Sequence, residues 1–79
     1  MDALRFVAER GNERFEIIEG SGEGFYVVRY VGNQSTHDYL QDTVLAAQGT
    51  AEEFWQVPAT AWRVARDGEM PLWKQHKRQ

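Results

Sequence analysis

The chain has no cysteine, only two prolines, and no apolar run that approaches the ~20 residues of a membrane-spanning helix. Without cysteine there is neither a disulfide nor a thiolate metal site to staple a small fold. The start, Met1-Asp2-Ala3-Leu4-Arg5, lacks the basic residues and apolar run of a secretory signal, so a cytoplasmic protein without membrane contact is expected. Bases are scarce: nine Lys and Arg stand against twelve Asp and Glu, for a net charge of −3. Three of the nine, Lys74, Lys77 and Arg78, lie in a C-terminal tail with no acid, which leaves residues 1–73 with all twelve acids and six bases. An acidic body repels phosphate backbones and argues against a dedicated nucleic-acid binder. Repeats, low-complexity segments and interdomain linkers are also missing.

The 79 residues make one domain, 1–79, of which about 67–79 read as turn and tail. A chain this short buries only about 60–65% of its unfolded surface. With no disulfide or metal, association with another chain is the common remaining source of stability.

The strongest helical signal runs from Ser35 to Val57. Leu40, Val44, Ala47, Ala51 and Phe54 recur at steps of four, three, four and three, which keeps them on one helical face, widened by Tyr39, Thr43 and Trp55. Ser35 with Asp38 resembles a capping box, Asp38 and Asp42 suit the positive end of the helix dipole, and Pro58 marks the stop. Gly49 interrupts the middle at a cost of about 1 kcal/mol, and Thr50 with Glu53 offers a second start. Because the apolar stripe continues without a phase slip, one helix, kinked or loosened at Gly49, is the favoured reading.

Before this helix the pattern is that of strands. Leu4–Glu9, Phe15–Glu19 and Phe25–Val31 are separated by Gly11-Asn12 and by Gly20-Ser21-Gly22-Glu23-Gly24, an antiparallel meander. Loops at Gly11-Asn12 and Ser21-Gly22 set Ala8 opposite Phe15, Phe6 opposite Ile17, Ile17 opposite Tyr26 and Phe15 opposite Val28. One face then carries Leu4, Phe6, Ala8, Phe15, Ile17, Tyr26, Val28 and Tyr30, ready for the helix to cover. A short fourth strand is read between Thr60 and Arg66, then an Asp67-Gly68 turn and a frayed polar tail. The expected class is α+β: a three- to four-stranded antiparallel meander with one long helix across one face.

Catalytic motifs are wanting. The glycine-rich stretch Gly20–Gly24 lacks the Lys-Ser/Thr ending of a phosphate loop, joins strands, and carries Glu23, so it reads as a turn. His37, Asp38 and Asp42 do not specify a metal or acid–base site without a third anchored ligand, and His76 lies in the tail. No hydroxyl sits in a motif that activates it. The expectation is a protein that is not an enzyme and takes no cofactor and no metal.

Two surfaces remain as candidates for binding. With the register above, Val7, Ile18, Phe25 and Val27 cluster on the face the helix does not cover. They form the candidate interface, with a second copy or with another protein, unless Leu72 and Trp73 fold over them. The alternative is single-stranded nucleic acid, held by Trp73 with Lys74, Lys77 and Arg78. The reading is a non-catalytic interaction module, acting as a homodimer or as a partner- or inhibitor-binding subunit. A small sheet crossed by one helix recurs among small bacterial proteins, including inhibitory and immunity proteins, and by itself carries no function.

Overall fold

Three tight turns lay out the sheet in the computed structural model, which describes residues 3–75. β1 (Ala3–Arg10) and β2 (Glu13–Gly20) are joined by Gly11-Asn12, β3 (Gly24–Val31) follows after Ser21-Gly22-Glu23, and β4 (Gln34–Gln41) follows after Gly32-Asn33. Helix α1 (Val44–Trp55), a 3-10 turn (Ala59–Ala61), β5 (Arg63–Val64) and a single helical turn, α2 (Leu72–Gln75), complete the chain. The sheet order is β4-β3-β2-β1-β5, antiparallel at every pairing, so β4 and β5 are its edges. The fold is the expected α+β, with a meander one strand longer than expected.

That extra strand corrects the helix. Gln34–Gln41 pairs with β3 instead of beginning the helix, and α1 starts where the Thr43 hydroxyl accepts the Ala46 N–H at 3.0 Å. Thr43 has extended backbone angles and is the N-cap, the role expected of Ser35. From Val44 the helix runs through Gly49 without interruption to Trp55. Gln56 ends it in the left-handed region (φ 54°), and the Val57 N–H reaches back to the Ala51 carbonyl. Arg10 reinforces this end, donating to the Trp55 and Gln56 carbonyls at 2.9 and 3.2 Å while lying over the Phe15 ring.

The first hairpin has the expected register, with Ala8 opposite Phe15 and Phe6 opposite Ile17. The second does not. Its turn has three residues, so Gly20 faces Gly24, Ile17 faces Val27, and Phe15 faces Arg29. One residue of difference turns every β3 side chain over. Phe25 and Val27 therefore face the helix, while Tyr26, Val28 and Tyr30 lie on the opposite side. An irregularity between Leu4 and Phe6 in β1 likewise puts Leu4 with Val7 on the side away from the helix, not with Phe6 and Ala8.

Both faces are covered. Toward α1, Phe15, Ile17 and Val27 pack against Ala47, Ala51, Trp55 and Val57, with Phe6, Phe25 and Trp62 at the margin. On the other face, Leu4, Val7, Ile18, Val28 and Tyr30 lie beneath the segment after β5, where Ala65 and Leu72 pack down and Pro71 is fully buried. No helix of the described residues is long and apolar enough to cross a membrane.

Candidate interaction surface

The segment over the second face is tied down by charge. Glu16 is 0% exposed, and its carboxylate accepts the Leu72 N–H at 2.9 Å and the Arg14 Nε–H at 2.7 Å. Arg63 grips Glu69 with two parallel bonds of 2.9 Å, and the Arg66 N–H adds a third at 2.9 Å. The Arg63 pair, more than any other contact, holds the Glu69 carboxyl down at about 2. Beside Glu16, burial first and the Glu16 charge second push the Tyr30 phenol above its ordinary value. A second chain of charge runs across β1–β3: Glu13 accepts from both Arg10 and Arg29, and these two bonds hold its carboxyl below the usual range.

The four residues expected to form an interface are therefore not a surface. Val7, Ile18 and Val27 are 0% exposed, and Phe25 is partly buried. Val7 and Ile18 lie under the C-terminal segment, Val27 and Phe25 under α1. The grouping fails because it depended on the slipped β2–β3 register. Of the nucleic-acid set, Trp73 is partly exposed and Lys74 lies in α2, whereas Lys77, Arg78 and also His76 fall outside the described residues. Gly20–Gly24 is a strand-to-strand connection. His37 Nδ1 lies 3.2 Å from the Thr36 hydroxyl, and no three His, Asp or Glu side chains among the described residues are grouped so as to hold a metal ion.

What the structure leaves open is the β4 edge. Every residue from Gln34 to Leu40 is exposed, and one side of the strand's backbone has no neighbouring strand. On the helix-facing side, Tyr39 stacks on Phe54 at 5.3 Å between ring centres, and Trp55 lies 6.0 Å from Tyr39 and 6.4 Å from His37. Tyr39 and Phe54 keep 37% and 52% of their surface, which makes a ledge of aromatic area along the strand. On the opposite side Leu40, beside Tyr26, is 50% exposed. The position of Gly24 fixes this edge: its φ is +120°, and a Cβ there would stand 2.5 Å from the Gln41 carbonyl oxygen.

A second concavity, of about 240 Å³, lies between Ala8, Phe15, Val57, Pro58 and Ala61, with Arg10 on its rim. Its walls are mostly apolar, and the Arg10 guanidinium is already engaged by Glu13 and by two helix carbonyls. Its other charged lining residue, Glu9, reaches Arg14 at 3.4 Å, and the concavity has nothing comparable to the backbone row of β4.

No family model, curated protein or solved structure matches this chain.

Proposed function

We propose that the protein is a non-catalytic interaction module whose contact is the β4 edge, taking an added strand from another chain. The observation that carries this reading is the construction of the edge: eight residues long, exposed, and without the usual guards. Native sheets blunt their edges with lysine, proline, very short strands or a covering element. β4 contains no lysine, arginine or proline, and its one acid or base other than His37 is Asp38. Its protective features are the shift in register opposite Arg29 and Tyr30 and the charge of Asp38. Backbone pairing supplies affinity in strand addition, and side-chain pockets beside the strand supply selectivity. Here the Tyr39–Phe54 ledge and Leu40 are the side chains placed to select.

The nucleic-acid alternative has less support. The described part of its segment, through Pro71 and Leu72, is fastened to the second sheet face, and the single partly exposed ring there is Trp73.

The test is selection of short extended peptides on the immobilised protein, followed by titration of a selected peptide into isotope-labelled protein. Amide shifts concentrated in Gln34–Gln41 and at Phe54 are expected. Shifts confined to the Val57–Ala61 concavity, or failure to select any peptide, would overturn the reading.

A further inference from the structure

We infer that the strand taken up by this edge is basic: an extended segment that carries lysine or arginine among aliphatic or aromatic residues. The inference rests on β4 being the contact. From Tyr30 to Trp62 the chain holds four acids, Asp38, Asp42, Glu52 and Glu53, and no lysine or arginine. Elsewhere among the described residues seven acids stand against seven bases, and five of the acids, Glu9, Glu13, Glu16, Glu19 and Glu69, are in ion pairs with arginine. Among the described residues none of the four acids is in an ion pair. Among the described residues, the stretch that holds the open edge thus carries acids with no base of its own, while the remainder is balanced in number.

Three features then converge on one chemistry. Backbone donors and acceptors along β4 require an extended partner. Asp38, which pairs with Val28 on the side away from the helix, Asp42 after the strand and Glu53, next to Phe54 in the chain, favour cationic side chains. The stacked Tyr39 and Phe54 rings accept the methylene stem of a lysine or the plane of an arginine, and the ring face adds attraction for the charge. The same field disfavours a second copy as occupant. Self-pairing would bring the acids of two copies together, eight against no lysine or arginine.

The experiment uses the full chain and three heptapeptides that share the same apolar positions and carry lysine, serine or glutamate at the others. The lysine peptide is expected to bind about tenfold more tightly than the glutamate peptide at low salt, with serine between them. That preference should shrink as salt rises from about 50 to 500 mM, because exposed charges are screened. Asp38→Asn combined with Glu53→Gln, both surface changes, should reduce the preference for the lysine peptide over the glutamate peptide. Equal binding of all three peptides at β4 would overturn the inference and leave the edge reading intact. Binding of none at β4 would overturn both. A wild type that light scattering shows to be dimeric, and that returns to monomer on adding the lysine peptide, would assign the edge to self-association and contradict the inference.

Discussion

β5 closes one side of the sheet after two residues, whereas β4 runs for eight along the other. Arg63 of β5 is bound to Glu69 by two bonds, and the chain turns directly from this strand into the segment that covers the sheet. Ala65 continues the pairing with an N–H donated to the Arg5 carbonyl at 2.9 Å. β4 has no lysine or arginine and a single carboxylate, Asp38, and the link to the body is lighter: Arg29 donates to the Thr36 hydroxyl at 3.1 Å, and Tyr39 leans on Phe54 and Trp55. Among the described residues, the ion pairs lie across β1–β3 and at the segment after β5, and none involves β4. That contrast is what an edge kept available for a partner requires, since the stability must come from elsewhere.

The contrast can be broken from the closed side with the largest effect. Glu16→Ala removes the acceptor of the Leu72 N–H and strips partly buried Arg14 of its closest partner. A loss of about 3–5 kcal/mol is expected in urea unfolding, in line with other buried pairs broken from one side. If Glu16→Ala loses less than 1 kcal/mol, the C-terminal segment is not held as described. Gly24→Ala attacks the open side, where a Cβ would meet the Gln41 carbonyl. Roughly 2–3 kcal/mol should be lost, with β4 amides exchanging faster and β1–β5 amides retaining their relative order.

Glu69→Gln has a smaller effect and a distinctive dependence on pH. The folded-state carboxyl, at about 2, is depressed from an unfolded value near ~4.3, so its contribution is fully present above the latter and disappears as pH falls toward the former. Glu13 works in the same direction. Wild-type stability should therefore decline between about pH 5 and 2, more steeply than that of Glu69→Gln, whose deficit of roughly 1–2 kcal/mol at neutral pH narrows in acid. Parallel curves for the two proteins would deny Glu69 this role.

What the sequence revealed follows from where its patterns were unambiguous. Gly11-Asn12 admits one common two-residue turn, and the β1–β2 register follows from it. Gly20-Ser21-Gly22-Glu23-Gly24 admits several turns, and β3 cannot arbitrate, because Phe25, Tyr26, Val27, Val28 and Tyr30 put apolar groups on both sides. β4 escaped for the opposite reason. It is exposed on both faces, so Gln34–Asp38 shows no alternation, and Tyr39, Leu40 and Val44 join by accident into a helical stripe. A signal was present in Gly32-Asn33, which repeats the dipeptide of the first hairpin. Covering of the second face by Leu72 was foreseeable from apolar content alone. The Glu16 acceptor that fixes it joins residues 56 positions apart, beyond what spacing reveals. The candidate surface shifted accordingly, from side chains that proved to be core to a strand that periodicity could not see.

Backbone amide exchange, measured across β4 and β5 with and without the lysine heptapeptide, tests the central claim most directly, because strand addition protects main-chain N–H groups. The expected result is slowed exchange at alternate residues of Gln34–Gln41, with Arg63 and Val64 unchanged. Unchanged exchange throughout β4 at saturating peptide, or protection appearing only around Phe15 and Val57, would contradict it.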